Sequence, residues 1–360
     1  MITRFLQSFV KKLKINRPHR KQSVFFPQEL HIELTYSCNT ECIMCNLRYL
    51  KTTRKELTLD QLKNVLAGSK ALEAIGLVVL SGGEAMLRKD FIEIAMYLCE
   101  KFPAAKLLIL TNFFDTKKIL KIMNELKKNV DLSRFSLSSS LDGIGARHDR
   151  IRGRKGSFGA FEETLYALRQ FFPKVCMSVN FTVTPENCSD IMPVWVYCKS
   201  KTLPVSYQVL VQKKETEMLV WSRAKLDVLK SQINELIEEI WESSGLKDPK
   251  ELLSRQSLLH DLLTLYYIPI YIEHPGRYFS NCPCGHKFIM LDPYGTLYFC
   301  PVHKEKTAGN VLDDGLDKVW SGVKASEARA FFDKETCHCW LTCTNRQMLE
   351  NSISGKFDEN

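Results

Sequence analysis

The sequence predicts an α/β protein built around a parallel sheet. From about residue 30 to residue 210, apolar runs typical of strands alternate with segments of helical periodicity. Several of these segments begin with residues that commonly cap helices. Six strands joined by helices indicate parallel pairing through right-handed crossovers. Periodicity alone leaves two architectures open, a partly closed barrel and an open doubly wound sheet.

The predicted strands are short apolar runs, and the predicted helices lie between them. Thr58, Asp115 and Ser157 are candidate N-caps, because each precedes a helical run and carries an oxygen that can accept a backbone N–H bond. The strands are predicted at 31–35, 75–81, 106–112, 134–140, 175–183 and 205–210, and the helices near 58–68, 90–102, 116–128, 157–172 and 189–200.

The pattern changes after residue 212. Residues 222–268 are charged and helical, and residues 274–345 hold six cysteines among turn residues. The cysteine-rich stretch has too little apolar pattern for a second large core, and segments of that kind are commonly held together by metal. We therefore predict a basic N-terminal segment, a core, a helical connector and a small C-terminal cysteine-rich domain, at residues 1–28, 29–212, 213–273 and 274–360.

Composition excludes several classes of protein. The 360-residue chain carries a net charge of +9, but residues 1–21 hold seven basic residues and no acid, which leaves a nearly neutral body. Such a body lacks the electrostatic footprint of a nucleic-acid enzyme, so no nucleic-acid partner is expected. We find no apolar run long enough to span a membrane and no signal peptide. Thirteen cysteines, an odd number, favour free thiols and metal ligands in the cytoplasm.

Three cysteines, Cys38, Cys42 and Cys45, follow the first predicted strand. Ligands bind at the carboxyl ends of parallel strands in α/β folds, so this loop is a candidate metal site. Structural zinc sites usually pair two units of two ligands, and iron–sulfur clusters normally take four cysteines. A cluster with three cysteine ligands would leave one iron open for another ligand. The spacing favours iron–sulfur over zinc without excluding zinc.

The second predicted strand ends in Gly82, Gly83 and Glu84. Adjacent glycines let the backbone approach a ligand closely, and the neighbouring carboxylate could hold an ammonium group. Taken alone, these residues also fit an ordinary turn between a strand and a helix.

Together, these two motifs resemble those of the radical S-adenosylmethionine enzymes. The resemblance continues through Thr111–Asn112, residues 139–143 and residues 148–165, and it covers roughly residues 30–210. It implies a (β/α)6 partial barrel. It also implies a [4Fe–4S] cluster on the three cysteines, with S-adenosylmethionine chelating the open iron.

The same resemblance implies which residues bind the cofactor. Ala85 stands where the family often has proline, and Met44 stands where it often has an aromatic residue whose backbone makes the contact. The glycines and the glutamate are expected near the methionine ammonium, two residues near the ribose and an arginine near the carboxylate. In that order the implied set is Gly82, Gly83 and Glu84, then Ser140 and Asp142, then Arg152, together with Met44 and Asn112.

The second cysteine group resembles the C-terminal auxiliary-cluster extension called SPASM, or its shorter form, twitch. The matching features are Cys282, the spacing from Gly295 to Cys300, and the terminal cysteines. The resemblance implies one further [4Fe–4S] cluster, with a structural zinc as the alternative. Its expected ligands are Cys282, Cys300 and two of the terminal thiols, with Cys284 spare; the terminal thiols are Cys337, Cys339 and Cys343, and we favour the last two.

The function implied is reductive cleavage of S-adenosylmethionine to a 5′-deoxyadenosyl radical, which abstracts hydrogen from a peptide or protein side chain or from a small polar metabolite. The alternatives are a radical dehydrogenase of a sugar, cyclitol or nucleoside, and a non-catalytic electron-transfer protein. A one-electron reductant such as flavodoxin or ferredoxin is expected. The residues before the first strand are too few for a leader-binding domain. The sequence indicates no catalytic acid, base or radical donor.

The N-terminal segment, residues 1–22, has apolar residues at helical spacing beside several lysines. A basic amphipathic helix can lie on an anionic membrane surface, which predicts a peripheral membrane contact. A helix docked on the protein, or a free tail, is the alternative that we favour. The apolar positions are Ile2, Phe5, Leu6, Phe9, Val10 and Leu13.

Overall fold

The computed structural model describes residues 1–12, 26–50, 52–211, 219–279, 282–334, 337–345 and 347–349. Its strands are β1 (Glu29–Thr35), β2 (Leu77–Gly82), β3 (Lys106–Leu110), β4 (Phe135–Ser140), β5 (Cys176–Val183), β6 (Val205–Val209), β7 (Phe288–Leu291), β8 (Thr296–Tyr298) and β9 (Thr307–Asn310). Its helices are α1 (Ile2–Lys12), α2 (Leu59–Leu66), α3 (Phe91–Lys101), α4 (Thr116–Asn129), α5 (Ala146–Arg152), α6 (Ser157–Phe171), α7 (Ile191–Ser200), α8 (Arg223–Ser243), α9 (Gln256–Glu273), α10 (Val311–Asp314), α11 (Leu316–Ser321) and α12 (Val323–Asp333).

The first six strands form the predicted parallel sheet. Their order in space follows their order in the sequence, from β1 to β6, and every neighbouring pair is parallel. A doubly wound sheet reverses its strand order at a switch point, and this sheet has no such reversal. The partly closed barrel is therefore confirmed over the open alternative.

The sheet continues into the cysteine-rich region. β7 pairs in parallel with β1, and β8 and β9 follow as antiparallel strands. All four residues of β7 are buried. The sequence prediction missed this extension, because a run of four apolar residues is too short to distinguish from a turn. The second cysteine group thus lies on the same sheet as the first.

A carboxylate joins the C-terminal region to the barrel helices. Asp317, on α11, accepts bonds from the Ser69 hydroxyl at 2.5 Å and from the backbone N–H groups of Lys70 and Ala71 at 2.9 and 3.0 Å. These groups begin a short 3₁₀ helix, Lys70–Leu72, whose own N-cap residue supplies no side-chain bond. Burial alone would raise the pKa of Asp317, but these hydrogen bonds outweigh it and lower the pKa.

The helical connector packs against the N-terminal helix. Ile2 and Leu6 of α1 are fully buried, and α1 contacts α8 and α9. The Met1 amino group lies 3.4 Å from a carboxylate oxygen of Glu238 on α8. The apolar face that a membrane surface would need is therefore used inside the protein, as the docked alternative expects. Leu13 and the basic residues beyond it lie outside the described residues.

No helix in the described part of the chain is both long and apolar enough to cross a membrane.

Two of the three predicted helix caps are present. The Thr58 side chain accepts the N–H of Gln61, and that of Asp115 accepts the N–H of Lys118. The third prediction, Ser157 as an N-cap, was wrong.

Helix α6 begins at Ser157, but Gly156 is its N-cap. The Ser157 hydroxyl donates backwards to the Arg154 carbonyl. The Asp149 carboxylate, from the preceding helix, accepts the N–H groups of Gly156 and Phe158 at 2.7 and 2.9 Å. An acceptor supplied by a neighbouring element cannot be recognised from local spacing.

We predict that Asp317→Ala lowers the free energy of unfolding by about 1–2 kcal/mol, because three donors lose their acceptor. Asp314→Ala is the matched control, since it removes only an exposed ion pair with Lys318 and should change stability less. Thermal unfolding of both variants measures this. The lowered pKa makes the Asp317 contribution complete above about pH 4, and it is lost as the pH falls through the folded-state pKa. Equal stability of the two variants at neutral pH would contradict the prediction.

Candidate active site

A cavity of about 380 Å³ lies at the carboxyl ends of the barrel strands, where the sequence predicted the site. Its volume falls in the range of small-molecule sites. Glu84 and Asp142 are buried and do not line it. Nine residues of the predicted site do line it, namely Cys38, Cys42, Met44, Cys45, Gly82, Gly83, Asn112, Ser140 and Arg152.

The cysteine loop, residues 38–45, is held by the C-terminal end of α5. The N–H of Glu41 donates to the Arg152 carbonyl at 3.1 Å, and the N–H of Ile43 donates to the Ile151 carbonyl at 3.0 Å. Gly153 caps α5 in the left-handed conformation, with φ at 62°. A Cβ at this glycine would lie only 2.1 Å from the Glu41 carbonyl oxygen. Glycine is therefore required for the loop to approach the helix end.

The double glycine holds the start of the same loop. The N–H of Gly83 donates to the Thr35 carbonyl at 2.7 Å. A Cβ on Gly82 would lie 2.2 Å from the Thr35 oxygen, and one on Gly83 would lie 2.3 Å from the Ser37 oxygen. The sequence placed these glycines correctly but explained them by a ligand. In the structure, the chain's own backbone fills the space of the absent side chains.

Glu84 lies behind the cavity wall and links two turns through hydrogen bonds. Its carboxylate accepts the backbone N–H groups of Met86 at 3.3 Å and Asn112 at 2.8 Å. Burial raises the pKa of this carboxyl group. The side chain therefore joins the turns that follow β2 and β3. Gly82 and Gly83 are the members of this motif that line the cavity.

Two of the three thiols share one polar neighbour. The Thr40 hydroxyl lies 3.3 Å from the Cys38 sulfur and 3.6 Å from the Cys42 sulfur. Burial and the two neighbouring thiols raise the pKa of Cys45. Thiolates, not thiols, bind metal, so metal binding here would release protons. Within the described ranges, no three Cys, His, Asp or Glu side chains converge as ligands of a single metal ion do.

A buried ion pair orients Arg152 toward the cavity. The Arg152 guanidinium donates to one carboxylate oxygen of Asp142 at 3.2 Å, and the Thr182 N–H donates to the other at 2.9 Å. Arg152 favours the charged form of the Asp142 carboxyl group, but burial has the larger effect and raises the pKa of Asp142. Burial, with a smaller effect of Arg152, lowers the pKa of His148 to about 3, so its neutral ring accepts the Asp142 N–H. Asp142 thus acts through Arg152 rather than on the cavity itself.

The second cysteine group surrounds a small cavity of about 20 Å³, within which thiols contact one another. The Cys284 thiol, which the sequence left spare, is within hydrogen-bonding reach of Cys282 and Cys300. These contacts lower the pKa of both neighbours and raise that of Cys284. Five cysteines line the cavity, namely Cys282, Cys284, Cys300, Cys337 and Cys339.

One further cysteine and an arginine complete this group. Cys343 does not line the cavity, but burial and the nearby Cys339 and Cys300 thiols raise its pKa. The Arg277 guanidinium donates to the Cys337 sulfur at 3.1 Å. A set of six thiols in one place fits an iron–sulfur cluster by donor chemistry, since such clusters are held by cysteine thiolates.

The two cavities are adjacent. Val302 belongs to the wall of both. Lys304 anchors the same segment to the barrel, because its ammonium group lies 2.7 and 2.5 Å from the two carboxylate oxygens of buried Glu33 on β1. The Tyr36 hydroxyl also donates to Glu33, at 2.8 Å.

Residues 32–193 match the Radical SAM superfamily, and residues 282–344 match SPASM, an iron–sulfur cluster-binding domain. The chain therefore contains a radical SAM domain and a C-terminal SPASM domain. These two domains imply a [4Fe–4S] cluster that binds S-adenosylmethionine and auxiliary iron–sulfur ligation. The resemblance and the cofactors that the sequence predicted are therefore confirmed.

The regions matched to two curated relatives make up most of this chain. The antilisterial bacteriocin subtilosin biosynthesis protein AlbA of Bacillus subtilis is 24% identical over 303 residues, which are 82% of this chain and 60% of AlbA. The mycofactocin maturase MftC of Mycolicibacterium smegmatis is 25% identical over 306 residues, 80% of this chain and 68% of MftC. The chain therefore spans less than two thirds of AlbA.

Among solved structures, native anSMEcpe with bound AdoMet and Cp18Cys peptide has the same fold. It superposes with a TM-score of 0.61 at 17% sequence identity, over 91% of this chain and 96% of that one.

Sequence reasoning missed three residues that shape the site. Gly153 follows the last helical residue and could have been recognised as a C-cap glycine. His148 begins the 148–165 stretch that carries the resemblance, but neither it nor Thr40 was given a role, because a lone histidine and a lone threonine have many structural uses. Their importance arises from neighbours that are distant in sequence.

We predict that Gly153→Ala displaces the cysteine loop, whereas Gly156→Ala does not. Both glycines have positive φ, at 62° and 82°, but a Cβ at Gly156 would meet nothing within 4 Å. Both variants carry the backbone strain of about 1–2 kcal/mol, and only Gly153→Ala adds the clash. Iron and sulfide per chain after anaerobic reconstitution should fall in Gly153→Ala alone. Equal iron content in the two folded variants would contradict the role of Gly153 in holding the cysteine loop.

Proposed function

We propose that this protein is a radical S-adenosylmethionine maturase that abstracts hydrogen from a residue of a peptide or protein substrate. The observation that carries the proposal is that three thiols, the double glycine, Ser140 and Arg152 line one cavity. The names of the relatives support a peptide substrate, since AlbA acts in bacteriocin biosynthesis, MftC is a maturase and anSMEcpe was solved with a bound peptide.

Cys38, Cys42 and Cys45 would hold the first cluster. When bound, this cluster supplies the electron that cleaves S-adenosylmethionine to methionine and a 5′-deoxyadenosyl radical. The substrate C–H bond then breaks, and its hydrogen atom passes to the 5′ carbon to give 5′-deoxyadenosine and a substrate radical. A one-electron carrier such as flavodoxin or ferredoxin would provide the reductant.

The chain's own residues bind and orient the cofactor. Arg152 presents a buried positive charge to the methionine carboxylate, and Asp142 fixes its orientation from behind. Ser140 would lie near the ribose, and the backbone of Gly82 and Gly83 would receive the methionine ammonium. Asn112, whose side chain donates to Asn39 at 2.6 Å, and the backbone of Met44 border the same space. Charge held in place before binding costs little reorganisation when the cofactor arrives.

The auxiliary cluster would be held by Cys282 and Cys300 with two of the terminal thiols, Cys339 and Cys343 in our assignment. Contacts with Cys282 and Cys300 make Cys284 a further candidate ligand. A cluster fully ligated by these thiols would have no open iron for substrate, and the chemistry that it would supply is acceptance of one electron from the substrate radical. The shared wall at Val302 supports this relay, since it brings the second cavity next to the first. The thirteen cysteines, all free, fit a reducing compartment such as the cytoplasm.

Replacing Cys38, Cys42 and Cys45 with Ala should remove one of two clusters and abolish cleavage of S-adenosylmethionine. Cys176→Ala is the control, because this thiol is exposed at the start of β5 and lies outside both cavities. Iron counting after anaerobic reconstitution and chromatography of 5′-deoxyadenosine report the two effects. Cleavage that survives in the folded triple variant would sink the proposal.

Cys300→Ala should remove the second cluster and stop completed product while 5′-deoxyadenosine formation remains measurable. The reason is that the first cluster and its cofactor site stay intact, whereas the electron from the substrate radical has no acceptor. The assay is turnover with the peptide substrate, with cleavage and product quantified together and folding checked by circular dichroism. Normal product from a folded variant that lacks the second cluster would eliminate the relay.

A further inference from the structure

Strands β4, β5 and β6 build one side of the active-site cavity. Val179, Phe181 and Val183 of β5 are buried in the core, so the alternate residues of this strand face the cavity side. The side chains on this face of the three strands are uncharged hydrogen-bonding groups. We call this set the neutral ladder: Ser138, Ser140, Ser178, Asn180, Thr182, Ser206 and Gln208.

The members of the neutral ladder hold one another in place. The Ser178 hydroxyl and the Asn180 amide both donate to the Ser138 hydroxyl, at 3.1 and 3.3 Å. The Gln208 amide donates to the Thr182 hydroxyl at 3.1 Å. An amide side chain has two donors and two acceptor lone pairs, so these bonds leave Asn180 and Gln208 capacity for a ligand. The ladder is a preorganised surface of neutral donors and acceptors.

Charge is sparse among the described residues that line the cavity. Of the described residues that line it, the acidic and basic ones are Glu41, in the cysteine loop, and Arg152, at the end of α5. Arg152 is already paired with Asp142. Beside the neutral ladder, the wall is apolar, with Leu210, Val302 and Leu341. A charged substrate group buried against this wall would find no counter-charge among the described residues of the wall, which costs several kcal/mol.

From this arrangement we infer that the substrate residue that loses hydrogen has an uncharged side chain, aliphatic or hydroxyl-bearing. The peptide groups that flank it hydrogen-bond with Asn180 and Gln208. The inference rests on the proposed function and specifies its substrate class. Neutral amides complement peptide N–H and C=O groups, and the apolar wall receives the aliphatic part of the side chain.

The test uses pentapeptides of the form acetyl-Gly-Gly-X-Gly-Gly-amide, with X deuterated at every carbon that bears hydrogen. X is valine or threonine in the neutral set and lysine or glutamate in the charged set. Anaerobic reactions of the reconstituted holoenzyme contain saturating peptide, S-adenosylmethionine and dithionite. Mass spectrometry then measures the deuterium that reaches 5′-deoxyadenosine.

The neutral peptides should transfer deuterium at least about tenfold more than the charged peptides, because the neutral ladder and the described apolar residues beside it offer a charged side chain no counter-charge. Gln208→Glu should improve the lysine peptide relative to valine by about tenfold, since it adds the missing counter-charge. Gln170→Glu, the same change on the exposed surface of α6, should leave the ratio unchanged.

Equal transfer from the lysine and valine peptides in the wild-type protein would overturn the inference. A Gln208→Glu variant with an unchanged ratio would also overturn it. If no peptide transferred deuterium while S-adenosylmethionine was still cleaved, the substrate class would be wrong and the proposed radical chemistry would stand. Absence of cleavage itself would instead reject the proposed function.

Discussion

The active site depends on the backbone clamp around the cysteine loop. Gly82 and Gly83 contact the chain where it leaves β1, and Gly153 contacts it at Glu41. At each point a single added carbon would lie 2.1 to 2.3 Å from a carbonyl oxygen. Backbone that packs directly on backbone, with no side chain between, fixes the loop more firmly than side-chain packing, because neither partner has a rotamer to change. Three thiols on one loop can then be presented with a fixed geometry before any metal arrives.

The charges around the clamp are unevenly placed: one guanidinium and the carboxylate of Glu41 border the cavity, and two carboxylates are buried behind it. Arg152 borders the cavity, whereas Asp142 and Glu84 are buried behind the wall. Removing one partner of a buried pair leaves an uncompensated charge, so Asp142 and Arg152 act as a unit. The neutral His148 ring accepts a hydrogen bond from the backbone N–H of Asp142 and adds no charge to the pair. The cavity therefore favours an anionic group of the ligand beside the cysteines.

Most of the barrel could be predicted from the sequence, whereas several contacts of the site could not. Strand alternation and the spacing of Cys38, Cys42 and Cys45 are local patterns, and they gave the six strands and the position of the first thiol group. Pairing of β7 with β1, docking of α1 and the cap from Asp149 are contacts between distant segments. A sequence pattern records which face of a segment is apolar but not which partner covers it. For the same reason, Glu84 was predicted in the right turn, yet its backbone partners were not.

The extended sheet makes the cysteine-rich region part of the barrel. β7 is buried on β1, and Lys304 forms a second attachment to the same strand through Glu33. Metal binding to a small cysteine-rich segment contributes folding free energy, so the order of this segment depends on its cluster. Val302 lies within this segment and in the wall of the active-site cavity. A cluster bound to this segment would therefore stabilise one wall of the active-site cavity.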